Sequence, residues 1–179
     1  NATAVTTFTY HPTTGPSDPN AGNPATIDGP LPNDTIAFSY DELGRVARQT
    51  INGTGFADDW DAAGRLQRST NSVGIFTYEW DGASFRPSAI NYPNGQRSTY
   101  SYFPNLKDQL LNQITHLKPN TTLLSRFTYD YNAVRQIGDW TQERAGANPI
   151  AYHFDYDAAD QLTNGVGTQN GLTVASYAY

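Results

Sequence analysis

Phe38-Ser39-Tyr40-Asp41-Glu42-Leu43-Gly44-Arg45-Val46 and Asp58-Asp59-Trp60-Asp61-Ala62-Ala63-Gly64-Arg65-Leu66 are two statements of one phrase. Looser statements are Tyr129-Asp130-Tyr131-Asn132-Ala133-Val134-Arg135-Gln136-Ile137 and Phe154-Asp155-Tyr156-Asp157-Ala158-Ala159-Asp160-Gln161-Leu162. Further aromatic anchors stand at Tyr10, Trp80, Tyr102 and Tyr179. A phrase recurring every 20 to 30 residues along the whole chain is the mark of a repeat architecture. In such a chain the most visible residues hold up a scaffold, whereas catalysis needs one singular constellation.

The positions before each anchor set the secondary structure. Two residues earlier stand Phe8, Phe38, Asp58, Tyr78, Tyr100, Tyr129, Phe154 and Tyr177. Four residues earlier stand Thr6, Ile36, Phe56, Phe76, Ser98, Phe127, Tyr152 and Ala175. A period of two with one aromatic side predicts a β-strand, because alternate side chains point to opposite faces. These aromatic positions are expected to form one buried stripe. Asp41, Asp61, Asp81 and Asp157, and once Asn132, follow the anchor. A short carboxylate or amide there accepts a backbone N–H two residues on and closes a turn. Gly44 and Gly64 then supply a left-handed residue. Asp160 tolerates that conformation, and Arg135 is strained in it. Arg45-Val46, Arg65-Leu66, Gln136-Ile137 and Gln161-Leu162 open the returning strand.

Asn52-Gly53, Asn94-Gly95 and Asn170-Gly171 are type I′ hairpin signals at the far end of the returning strand. Each repeat thus reads as two antiparallel strands. The whole chain reads as an all-β meander of hairpins in a curved or spiralling sheet, with about fourteen strands. Residues 12–34 hold six of the eleven prolines and read as a loop inserted into the first repeat, since Pro does not serve a central strand. The expected division is therefore residues 1–34, a first strand with a Pro-rich insertion, and residues 35–179, the hairpin repeats, the last one truncated. Over residues 105–117 a helical period (Leu106, Leu110, Leu111, Ile114, Leu117) competes with the turn and strand that the repeat demands. The repeat favours the turn and strand, with a short helical turn near residues 105–110 as the alternative.

The bulk properties exclude several classes. The net charge of −6 opposes binding to nucleic acid, whose phosphates need a basic face. No apolar run reaches the length of a membrane helix, so no membrane span is expected. Without cysteine there is no disulfide framework and no thiolate metal site. Residue 1 is Asn, and no signal segment follows it, so the gene product is expected to begin upstream. The Asn-X-Thr triplets at Asn1, Asn33, Asn52 and Asn120 read as chance.

An aromatic-X-Tyr-Asp-X-X-Gly-Arg-Leu/Val phrase in several copies, interleaved with Asn-Gly turns, resembles the RHS/YD-repeat family over residues 35–179 and, more loosely, 4–11. The resemblance implies a sheet of hairpins spiralling into a hollow shell. It also implies a bacterial protein, secreted or on the cell surface, similar to polymorphic toxins, to the cocoon subunits of toxin complexes and to teneurins. Nothing within residues 1–179 matches the self-cleaving core segment of the toxins or an effector. Fourteen strands make a strip of only roughly 67 Å. Curled into one ring it is about 21 Å across, narrower than a folded domain of about 13 Å radius of gyration. The segment is expected to work with further repeats of the same polypeptide, or with copies of itself through its edge strands.

No catalytic residue, cofactor or metal site is expected. Tyr40, Asp41, Gly44, Arg45, Trp60, Asp61, Gly64, Arg65, Tyr131, Asn132, Tyr156 and Asp157 are read as turn-building residues. The Asp–Arg pairs serve turn closure or cation–aromatic packing. The Asp58/Asp59/Asp61 and Asp155/Asp157/Asp160 clusters lack the spacing of a calcium loop, and His11, His116 and His153 stand apart. The functional reading is a non-enzymatic scaffold, a shell enclosing an effector or the wall of an extracellular assembly. The alternative is a glycan- or cell-surface-binding module. Trp140, which lies outside the anchor positions, is its first candidate.

Overall fold

The computed structural model describes residues 4–13 and 20–178. Tyr179, Asn1 and part of the proline-rich stretch lie outside them. Contacts divide the chain into two units, Asn1–Tyr78 and Glu79–Tyr179.

The first unit runs through β1 (Thr7–Tyr10), β2 (Pro24–Asp28), β3 (Ile36–Tyr40), β4 (Val46–Ile51), β5 (Thr54–Trp60), β6 (Leu66–Asn71) and β7 (Gly74–Trp80), whose last two residues fall in the second unit. Each strand pairs antiparallel with the one before it. The second unit continues with β8 (Pro87–Asn91), β9 (Arg97–Tyr102), β10 (Leu111–Leu117), β11 (Leu123–Tyr131), β12 (Ile137–Arg144), β13 (Ile150–Tyr156), β14 (Leu162–Gln169) and β15 (Leu172–Ala178). These too pair antiparallel in chain order. The all-β meander of hairpins is the fold, with fifteen strands.

The additional strand is β2, inside the stretch expected to be loop. Pro24 is its first residue, where a missing N–H is tolerated, and it sits at a register shift opposite Tyr10. The flanking bonds place the insertion. His11 N–H donates to Asn23 O at 2.9 Å and Gly22 N–H to His11 O at 3.1 Å. Asp41 N–H to Arg45 O and Gly44 N–H to Asp41 O are the same two bonds. His11 and Gly22 thus hold the places of Asp41 and Gly44, and the repeat resumes at Gly22, whose φ is 78°.

Residues 105–117 divide as the repeat requires. A 3₁₀ turn spans Asn105–Lys107, positive φ at Asp108 and Gln109 ends it, and β10 follows. Pairing on both sides, with β9 and β11, satisfies the β10 backbone and overrides the local helical period.

Alternation sorts the second unit's side chains onto two faces. On one, Ile114, Phe127, Tyr129, Trp140, Tyr152 and Phe154 meet through cross-strand registers. The other carries Arg126, Asp130, Asp139, Thr141, Glu143, His153 and Asp155. The aromatic stripe is only half-buried, and Phe56 is 38% exposed, against the expectation of a shielded row. Side chains in a single sheet layer are covered by cross-strand neighbours alone, whereas a packed second layer is what completes burial in an ordinary domain. Among the described residues, full burial is confined to Ala89, Ser98, Thr115, Gly165 and Gly167.

Candidate functional site

The repeated phrase builds one turn many times. In residues 41–45 the Asp41 Oδ1 accepts the N–H of Leu43 at 2.9 Å and of Arg45 at 3.0 Å. Asp61 Oδ1 does the same with Ala63 and Arg65, both at 2.9 Å. Asp157 accepts from Ala159 and Gln161, and Asn132 from Val134 and Gln136. Gly44 and Gly64 have φ of 73° and 78°, and Arg135 and Asp160 take the same position at 71° and 62°. The left-handed residue produces the bulge that re-aims the chain. As a result Tyr40 pairs with Val46, Trp60 with Leu66, Tyr131 with Ile137 and Tyr156 with Leu162.

Asn94-Gly95 belongs to this class and is not a type I′ turn. Tyr92 N–H donates to Gln96 O and Gly95 N–H to Tyr92 O, as in the Asp41 turn, and only Gly95 of the pair has positive φ. Residues 118–122 repeat the geometry with Thr121 as the left-handed residue. Asn52-Gly53 and Asn170-Gly171 are the two-residue loops expected, with positive φ at both members.

The second oxygen of each aspartate meets the arginine of its own phrase. Asp41 Oδ2 lies 2.6 Å from Arg45 Nε, and Asp61 Oδ2 lies 2.7 Å from Arg65 Nε. Burial pushes the Asp41 carboxyl up. The Arg45 N–H and side chain, the Leu43 N–H and the Arg45 charge outweigh it and hold the group below its ordinary value. At Asp61 the Arg65 N–H and side chain hold the carboxyl low against burial. Both carboxylates are spent on their own loops.

Each turn also reaches its neighbour. Arg45 lies 5.2 Å from the Trp60 ring centroid, and Arg86 lies 4.8 Å from that of Tyr102. Gln136 donates to Asp160 Oδ1 at 3.1 Å, and Arg135 pairs with Asp108 at 2.8 Å. A signal missed in the sequence is the tyrosine hydroxyl. Tyr40, Tyr102, Tyr131 and Tyr156 each donate at 2.9 Å to the carbonyl of Pro24, Pro87, Leu111 and Ile137. In every case the acceptor is the first residue of the preceding strand. Trp60 has no hydroxyl to do this, and its Nε1 is buried without a partner.

Open grooves lie between consecutive turns. One of about 610 Å³ is lined by Asp81, Arg86, Tyr100, Tyr102 and Gln109, and another of about 540 Å³ by Asn132, Asp139, His153, Tyr156 and Asp160. They recur with the repeat, so none gathers a singular set of reactive groups. Asp58 and Asp59 point to opposite faces of β5, and no cluster of metal-ligating side chains occurs among the described residues. No helix there is long and apolar enough to cross a membrane.

Trp140 stands inside an aromatic stack. Phe127 lies 6.0 Å from it at 18° and Tyr152 lies 5.0 Å from it at 22°. These come from the strands on either side, so both indole faces are covered. The glycan reading needs a free ring face at this residue, and the geometry does not supply one.

No family model matches the chain, and no curated protein matches it. Solved structures do. The crystal structure of TcdB2-TccC3-Cdc42 matches with a TM-score of 0.66 at 18% identity, over 87% of this chain and 9% of that one. TcdB2-TccC3 without its hypervariable C-terminal region matches with a TM-score of 0.63 at 17% identity, over 83% and 9%. The likeness is one of fold, and it agrees with the RHS/YD resemblance of the repeated phrase. The chain spans about a tenth of the length of these structures.

Proposed function

We propose that this chain is a scaffold segment of a secreted or surface-exposed bacterial RHS/YD-repeat protein, forming part of the wall of an encapsulating shell or another extracellular assembly. The observation that carries the reading is the use made, within the chain itself, of the groups that recur in the phrase. Asp41, Asp61 and Asp157 close their own turns, the hydroxyls of Tyr40, Tyr102, Tyr131 and Tyr156 each tie a strand to the one before it, and arginine or glutamine links adjacent turns. This accounts for the phrase without catalysis, and the fold shared with TcdB2-TccC3 supports it. The partners proposed are further repeats of the same polypeptide or copies of this chain, added at the edges β1 and β15, and an effector carried by the parent.

The test has two parts. Light scattering of the purified segment across concentration should show association through the edges. Electron microscopy of the protein encoded by the surrounding gene should show a hollow wall. A segment that stays monomeric at high concentration, together with a parent lacking any enclosed space, would overturn the proposal.

A further inference from the structure

Asn-Gly occurs four times, at 52–53, 94–95, 164–165 and 170–171. An asparagine before glycine is open to attack on its own side chain. The glycine amide nitrogen gives its proton to base and bonds to the asparagine Cγ. The bond from Cγ to the side-chain nitrogen breaks, ammonia leaves, and a five-membered succinimide remains. One water then opens the ring, giving aspartate or isoaspartate. The step needs a glycine N–H free of hydrogen bonds and room for the backbone to rotate.

The four pairs differ in both respects. At Asn52-Gly53 and Asn170-Gly171 the glycine amide has no hydrogen-bond partner among the described residues, and nothing approaches within 4 Å of where a Cβ would stand. Gly95 N–H is instead bound to Tyr92 O at 2.9 Å, Asn94 Oδ1 accepts from Gln96, and Pro119 crowds the glycine at 3.1 Å. Gly165 is buried inside β14, paired to Phe154 on one side and Tyr177 on the other. Its neighbour Asn164 is held by Asp155 Oδ2 at 3.0 Å.

We infer that Asn52 and Asn170 are sites of spontaneous covalent modification, and that Asn94 and Asn164 are protected by the fold. Conversion adds a negative charge at each loop. The isoaspartate product also routes the backbone through the side chain, which lengthens a two-residue turn and disturbs the Ile51–Thr54 and Gln169–Leu172 pairings.

The experiment is fragment-ion mapping of the intact protein aged at mildly alkaline pH, against the same protein unfolded in guanidinium. In the unfolded chain the four sites should convert at similar rates. In the folded protein Asn94 and Asn164 should slow by about tenfold or more relative to Asn52 and Asn170, since their reaction must wait for local opening. If Asn94 or Asn164 keeps pace with the other two in the folded protein, or if all four slow equally, the inference is wrong.

Discussion

The Tyr156 hydroxyl donates to the carbonyl of Ile137 at 2.9 Å. Ile137 opens β12 and Tyr156 closes β13, so this bond clasps the two ends of neighbouring strands just where the next turn begins. The same clasp recurs at Tyr40, Tyr102 and Tyr131. It explains why the phrase uses tyrosine at a position that an apolar ring alone would fill.

Tyr131→Phe keeps the ring and removes the clasp to Leu111. It should cost about 1 kcal/mol, the usual net worth of a part-buried hydrogen bond. Denaturant unfolding measures it. An unchanged midpoint would mean that the hydroxyl adds nothing to the ring packing.

Asp61→Ala should lower the melting temperature, and Asp61→Asn should recover part of the loss, because Asn132 shows an amide accepting the same backbone bonds. The aspartate's contribution follows pH in a fixed sense. The folded carboxyl lies below its unfolded value of 3.8, so the stabilisation is present above that value and is lost as pH falls through the folded one. Acid unfolding of the alanine variant should therefore be less steep than that of the parent chain.

Arg135→Gly should stabilise the protein. Arg135 holds φ of 71°, a conformation costing a side-chain-bearing residue about 1–2 kcal/mol. Glycine returns about 0.5–1 kcal/mol of this as entropy. The Asp108 pair that is lost lies between exposed groups and contributes little. Thermal melting checks the sign, and a lower melting temperature would show that the ion pair matters more than the strain.

His153 is flanked by Asp139 at 2.8 Å and Asp155 at 3.5 Å on the polar face. The Asp139 hydrogen bond, followed by the charges of both carboxylates, raises its pKa above 6.5 despite some burial. A raised folded value means the stabilisation is complete below the unfolded pKa and is lost as pH rises through the folded one. An NMR titration should find His153 above its ordinary value, and Asp139→Asn should bring it down.

Trp140→Ala removes the middle ring of the Phe127–Trp140–Tyr152 stack and should destabilise by about 2 kcal/mol, less than a fully buried tryptophan because the residue is only half-buried. On a glycan array neither form should bind specifically. A signal present in the parent chain and absent in the variant would favour the glycan reading over the scaffold.

The turns and strand faces were legible because their causes are local. An aspartate reaching backbone N–H groups two and four residues on needs nothing beyond its own loop, and the shared face of Phe38 and Tyr40, opposite that of Ser39, needs only the pleat. Arg135 and Asp160 could likewise be placed in the left-handed position from their spacing alone. Asn94-Gly95 misled because the dipeptide is common to two turn types. The choice between them lay in Pro93 and in the Tyr92 and Gln96 bonds that bracket the loop.

What the amino-acid order determined by itself was the repeat, its strand period and the chemistry of its turns, all set by contacts within a few residues. The tertiary structure decided everything that depends on a neighbouring strand. It made residues 111–117 a strand against their helical period, because β9 and β11 satisfy that backbone on both sides. It recovered β2 from a proline-rich stretch, since Tyr10 and Tyr40 flank Pro24 across strands. It also closed both faces of Trp140, because the rings that cover it come from positions 13 residues before and 12 after, brought alongside only by pairing.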